Sequence, residues 1–292
     1  MRMERGIKVE KSNTRVLFLS LCFFMTLLCS GCGFVGLGYS QTDRITLWWL
    51  DRYLDLSAAQ KEQLKPQLAQ TLAWHKEKEL PLYVMLIETQ VEPLLAKDTI
   101  SQKELMKVID TMELRYTALA QKAGAAGEPA LSKMNGEQIA YVKQAFEKSN
   151  KKFKSKHLDT PMAEIRKRRA DEFVDLLDDW FGTLTDTQKT LIEEHYKNRN
   201  IDNTLWWEER LARQQLILKA LQKTASEPGP SLGDALVSLL EPVSDKGKVY
   251  LLQTHKDTTD LLSQLWQNST PEQKKAAREK LIYWKKQISK LM

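Results

Sequence analysis

The chain has 292 residues, of which 28% are charged, with a formal net charge of +6, twelve glycines and three cysteines. That length bounds it to one large domain or two small ones. The balance of 42% hydrophobic residues against scarce glycine excludes a disordered or low-complexity chain and suits helices with solvated faces over a real core.

The first 15 residues hold Arg2, Arg5, Lys8, Lys11 and Arg15 against Glu4 and Glu10, a net +3. Val16 to Leu28 follows, 13 residues without a charge. A helix needs ~20 apolar residues to cross a bilayer core, so this run reads as the apolar stretch of a secretory signal. A non-cleaved anchor helix is the alternative. Cys29-Ser30-Gly31-Cys32 resembles the lipobox of bacterial lipoproteins, with Cys29 where leucine is usual and Leu28 one place early. The resemblance implies that residues 1–31 are a signal peptide and that Cys32 becomes the lipidated N-terminus. Gly33, in place of the aspartate that retains such proteins at the inner membrane, implies the periplasmic face of the outer membrane. Cys22 and Cys29 would leave with the signal and Cys32 would be consumed by lipid. The mature chain would then offer no thiol or disulfide chemistry, and its net charge would be +3.

Residues 32–41 read as a flexible glycine-rich tether, and residues 42–292 as a single all-α domain. Residues 231–292 are a candidate C-terminal helical subdomain. The expected architecture is a multi-helix bundle of roughly seven to nine helices, some kinked by proline. Pro66, Pro81 and Pro93 should each kink a helix or start a new one. One apolar stripe runs through Leu105, Val108, Ile109, Met112, Tyr116 and Leu119, with spacings of three and four. A second links Ile139, Val142, Phe146 and Phe153, and a third Phe173, Leu176, Leu177, Trp180 and Phe181. Gly124 to Pro129 and Ser226 to Gly233 read as connections.

A start signal recurs along the chain. Ser57 with Gln60, Thr185 with Gln188 and Thr270 with Gln273 have the spacing of a capping box, and Ser101 with Glu104 and Asn135 with Gln138 echo it. The hydroxyl or amide oxygen accepts from an early helix N–H, and the side chain three residues on reaches back. Helices should therefore start near residues 57, 101, 135, 185 and 270.

Two features invite a partner. Trp48-Trp49 and Trp206-Trp207 are adjacent pairs, and neighbours on a helix diverge by about 100°. One ring of each pair should turn to the core and the other to solvent, where it could meet a partner chain, glycan or headgroup. From Lys143 to Arg169 the chain carries ten Lys or Arg, including Lys151, Lys152, Lys154, Arg166, Arg168 and Arg169, against three acids. The simple reading is a solvated face, and the functional one is attraction to an anionic headgroup or acidic partner. Nucleic acid is not expected as a partner, given the compartment. His75, His157, His195 and His255 are isolated, with no metal spacing among them, so neither metal nor cofactor is expected. Asp178-Asp179 and Asp51 with Asp55 are the nearest approach to paired carboxylates. No Gly-x-Ser-x-Gly, phosphate loop or dinucleotide fingerprint occurs.

The stretches Leu47-Trp48-Trp49-Leu50-Asp51-Arg52-Tyr53 and Trp74-His75-Lys76 through Glu79-Leu80-Pro81-Leu82-Tyr83 resemble a family of proteobacterial helical lipoproteins catalogued only as a domain of unknown function. Gln138-Ile139, Asn150, Arg168-Arg169, Trp180, Leu184-Thr185 with Gln188, and Trp207 through Gln215 extend the likeness to about residue 225. It implies a helical lipoprotein and brings no activity. Leu184-Thr185-x-x-Gln188 is also similar to the motif of the Spy-like periplasmic chaperones. The expected role is a non-enzymatic envelope protein acting by protein–protein contact, as scaffold, maintenance factor or chaperone-like binder. An envelope enzyme using helix carboxylates with His75 or His195 is one alternative, and an anionic headgroup-binding module is another.

Overall fold

The computed structural model describes residues 39, 41–132, 134–223 and 229–292. The signal segment, Cys32 and nearly all of the tether lie outside these described residues. Within them the chain is all-helical, without a strand, and it forms ten helices rather than seven to nine. They are α1 (Thr42–Leu54), α2 (58–95), α3 (Gln102–Leu131), α4 (Gly136–His157), α5 (Met162–Phe181), α6 (Asp186–Asn198), α7 (Asn203–Leu221), α8 (Leu232–Val237), α9 (Asp245–Gln267) and α10 (Pro271–Ser289).

All five expected starts carry a reciprocal capping box, at Ser57, Ser101, Asn135, Thr185 and Thr270. A sixth, Ser231 with Asp234, opens α8. It was not legible as a box because aspartate replaces the longer glutamine or glutamate at the third helical position. Pro271 sits in the first turn of α10, where no intrahelical N–H is lost.

The cap glutamines do more than close their own helices. Gln188 Nε2 donates to Gln273 Oε1 at 3.0 Å and Gln273 Nε2 donates to Gln188 Oε1 at 2.9 Å. Gln273 also donates to the Thr183 carbonyl at 3.0 Å. Likewise Gln138 Nε2 donates to Gln60 Oε1 at 2.7 Å and to the Asp55 carbonyl at 2.8 Å, and Gln60 Nε2 donates to the Ala130 carbonyl at 3.1 Å. Capped helix starts therefore dock in pairs, α2 on α4 and α6 on α10.

The prolines do not end α2, and Pro81 and Pro93 each stand in the first turn of a new α-helical stretch within it, Leu80–Leu86 and Glu92–Leu95. Pro81 and Pro93 each follow a wide turn, His75–Glu79 and Ile87–Val91, in which N–H groups bond five residues back. The carbonyls four residues before these prolines, on Glu77 and Thr89, fall inside those turns. Widening moves them clear of the ring and removes the need for the missing N–H. Pro66 lies inside the helix with no such turn.

Gly124 to Pro129 is not a connection either, because α3 runs unbroken through it for 30 residues. The glycines are there for packing. A methyl built on Gly124 would overlap the backbone of Gly233, so the short α8 crosses α3 at backbone contact. Of the other expected break, Ser226 to Gly233, residues 229–231 are non-helical, Leu232 and Gly233 open α8, and 226–228 lie outside the described set.

Three clusters make the core. Leu56, Leu64, Ala130, Leu131, Ile139, Val142, Leu218, Leu221 and Leu232 join α2, α3, α4, α7 and α8. Phe173, Leu177, Leu184, Ile192, Tyr196, Leu261 and Leu265 join α5, α6 and α9. Leu94, Ile100, Trp266 and Ala277 tie the end of α2 to α9 and α10. Among the described residues no helix is long and apolar enough to cross a membrane.

Candidate functional site

Helix α1 buries none of its residues. Trp48 and Trp49 are both exposed, at 60% and 52%, as are Ile45 and Tyr53. The expected split within this pair does not occur, because α1 lies on the surface of α2 and α4 and keeps only Leu47, Leu50 and Leu54 against the first cluster. Arg52 stands over the Trp48 ring at 5.8 Å. Beside this face a groove of about 640 Å³ is lined by Arg52, Tyr53, Tyr141, Lys148, Lys151 and Lys152.

Trp206 and Trp207 do not split either, and both are half-buried. Arg213 stands over Trp206 at 5.6 Å and Lys154 over Trp207 at 4.7 Å, while Trp207 stacks on Phe153 with centroids 5.9 Å apart. With Tyr250 of α9 edge-on to Trp206 at 6.2 Å, these contacts place the pair in the seam between α4, α7 and α9.

The basic run divides at the α4–α5 turn. Lys151, Lys152 and Lys154 are exposed on α4, whereas Arg166, Arg168 and Arg169 are half-buried. The Arg166 Nη2 donates to the Arg199 carbonyl at 3.4 Å, and the Arg168 Nη2 to the Lys156 carbonyl at 3.2 Å. Arg169 Nη2 donates to Asn203 Oδ1 at 3.2 Å, and Asn203 Nδ2 donates to the His157 carbonyl at 2.8 Å. Arg210 holds Asn150 Oδ1 and Ser149 Oγ, each at 2.6 Å. Sequence reading missed that Arg199, Arg210 and Arg213 join this group, since they lie 30 or more residues further on. His157 is buried here, and burial together with Arg169 and Arg168 pulls its pKa down to about 4.

A second polar cluster was also missed. His75, Glu79 and Tyr83 are buried on one face of α2. Their spacing of four residues drifts round an ideal helix by about 40° per step, and the wide turn at His75–Glu79 absorbs that drift. The Tyr39 hydroxyl is hydrogen-bonded to His75 Nδ1 at 2.7 Å. Burial lowers the His75 pKa to about 4 and raises that of Tyr39 to about 12. Glu79 is 2% exposed, with Arg115 Nη1 3.9 Å from Oε1. Its Oε2 is buried with no partner among the described residues. Burial raises the Glu79 pKa and Arg115 opposes the shift.

The paired carboxylates have structural duties. Asp51 Oδ1 accepts from the Leu56 N–H and pairs with Lys61, Asp178 accepts from the Leu184 N–H, and Asp179 pairs with Lys280. Asp55 takes the left-handed conformation that ends α1. Glu193 and Glu194 are exposed, while His195 packs edge-on against Tyr196. No group of three His, Cys, Asp or Glu able to hold a metal occurs among the described residues.

No curated protein and no solved structure matches the chain. Residues 52–242, from the end of α1 through α8 and including both polar clusters, match the model of a family of unknown function, DUF6279. The chain belongs to that family, DUF6279.

Proposed function

We propose that the protein is a non-enzymatic lipoprotein of the bacterial envelope. In this reading Cys32 holds it by lipid at the periplasmic face of the outer membrane, α1 lies on the bilayer surface, and the helical body works by contact with another envelope protein. The observation that carries this reading is the face of α1, where Ile45, Trp48, Trp49 and Tyr53 are exposed beside Arg52 and the lysines of α4. Tryptophan and tyrosine rings favour the headgroup zone, and basic groups favour anionic lipid. Nine residues separate Cys32 from Thr42 at the start of α1, a reach of at most roughly 35 Å when extended, so the face stays near the anchor. The Leu-Thr-x-x-Gln likeness adds little to a chaperone version, because the cap glutamines are occupied with one another.

Mass spectrometry of the mature protein tests the anchor: an acylated N-terminal Cys32 is expected, and a chain beginning at Met1 with a free Cys32 thiol rejects it. Quenching by brominated lipid in nanodiscs tests the face. Trp48→Phe with Trp49→Phe should remove most of the quenched emission. Quenching that survives both changes rejects the membrane-facing assignment. In-membrane crosslinking should capture a protein partner, and cleavage of envelope polymer by the purified chain without any partner would reject the non-enzymatic reading.

A further inference from the structure

The groove between α1 and α4 has a volume of about 640 Å³, inside the range of about 300–1,000 Å³ that suits one small ligand. Its two walls are tied together. The Tyr141 hydroxyl donates to the Arg52 carbonyl at 3.2 Å, and Gln138 in the first turn of α4 donates to the Asp55 carbonyl just past the end of α1. Tyr141, Lys148 and Lys152 follow one another at steps of seven and four residues, so they share one side of α4, and Lys151 lines the groove beside them.

The lining is lopsided in charge. Arg52, Lys148, Lys151 and Lys152 stand against one acid, Glu147, a balance of +3. None of these four cations has a carboxylate within 4.0 Å among the described residues, and Asp51, next to Arg52, is taken by Lys61 at 2.8 Å. Exposed lysines alone would be an ordinary solvated face. These share a concave site, and that site borders aromatic rings that no other helix covers. Arg52 stands over the Trp48 ring, and the Trp49 and Tyr53 rings lie 4.7 Å apart, with Tyr53 itself lining the groove. A ligand that satisfies the whole surface is therefore anionic at one end and apolar at the other. An acidic peptide would neutralise the groove and leave Trp48 and Trp49 bare.

We propose that the groove holds the phosphate headgroup of one anionic phospholipid, whose acyl chains leave along Ile45, Trp48 and Trp49. The proposal rests on α1 facing the bilayer and adds to it one lipid in a set place, where the α1 face by itself needs only diffuse attraction. Arg52 offers phosphate oxygens a planar fork of donors, and the lysines offer point charges. A zwitterionic headgroup brings its own cation toward the same lysines and is disfavoured.

The test is native mass spectrometry of the full chain released from detergent micelles that carry equal phosphatidylglycerol and phosphatidylcholine. One phosphatidylglycerol should stay on each chain, preferred roughly tenfold, as a few basic groups near an anionic headgroup supply. Lys148→Gln with Lys152→Gln should remove the preference, and Arg52→Gln, made separately, should weaken it. Lys167→Gln with Lys275→Gln takes the same charge from exposed lysines that pair with acids elsewhere and should leave the preference intact. Equal retention of the two lipids, or a preference that survives Lys148→Gln with Lys152→Gln, overturns the proposal. Retention of poly-glutamate in place of lipid also overturns it and assigns the groove to an acidic protein segment. Quenching of Trp48 and Trp49 by brominated phosphatidylcholine does not depend on the groove. Quenching that persists without a lipid preference overturns the headgroup site and leaves the α1 face on the bilayer, whereas loss of both overturns both.

Discussion

At the scale of single residues, the two buried histidines set a dependence on acid. His75 and His157 each have a folded pKa of about 4 because burial disfavours the imidazolium, whereas an unfolded histidine titrates near ~6.5. The unfolded chain therefore binds protons that the folded one does not, as pH falls through that window. Stability should hold above pH ~6.5 and decline steadily toward pH ~4. Denaturant titrations at neutral and mildly acid pH should show this, and His75→Gln should flatten the slope. An unchanged slope would count against a neutral buried His75. These residues were poorly legible in sequence. A lone histidine carries no spacing; the burial of His75 depends on a wide turn that no periodicity announces, and that of His157 on how the end of α4 meets α5 and α7. The tryptophan pair of α1 was legible as unusual neighbours, but which of them reach solvent depends on how a whole helix is seated.

At the scale of elements, polar punctuation was readable and backbone contact was not. Ser57, Ser101, Asn135, Thr185 and Thr270 announced their helices because capping chemistry is local. The pairing of Gln188 with Gln273 is invisible, since it joins residues 85 apart. Gln188→Ala and Gln273→Ala should each cost about 1–3 kcal/mol by orphaning the buried partner amide. The double variant should cost clearly less than their sum, as a chemical denaturation cycle would reveal, and strict additivity would deny the coupling. Gly124 was misread as a break because glycine weakens a helix when judged alone. Against α8 it is the residue that permits the crossing, so Gly124→Ala should destabilise by about 1–3 kcal/mol rather than gain from its better helix propensity. Pro81 and Pro93 were legible as places where an α-helical stretch starts, but the wide turns before them were not, because the rule against interior proline assumes four-residue hydrogen bonding. Deleting Lys76 would restore that spacing and leave His75 and Tyr83 seven residues apart, still on one face, but it would set the Pro81 ring against a helical carbonyl and should cost about 3 kcal/mol in a denaturant titration.

At the scale of the whole molecule, the helical class followed from composition and periodicity. The distribution of the core among three clusters did not, because it rests on contacts between distant helices. Helices α9 and α10 lie beyond the segment that matches the family, yet they supply Leu261, Leu265, Trp266 and Ala277 to two of the clusters. A chain ending at residue 242 should keep its helical circular dichroism signal only in part and lose a single cooperative melt; an intact sharp transition would show that α9 and α10 are dispensable. The same arrangement has a consequence for the order in which the protein is made. The cluster around Leu64 and Ile139 has all its members once Ala235 has emerged, whereas the faces of Phe173 and Ile192 wait for Leu265. During synthesis, which proceeds from the N-terminus, α5 and α6 thus spend about 70 residues of elongation packed on each other alone, with the part of their apolar faces that meets α9 bare. Chains arrested in that interval should be cut by protease within α5 and α6 while the earlier helices resist. The newborn protein is therefore most in need of a holding factor late in its production.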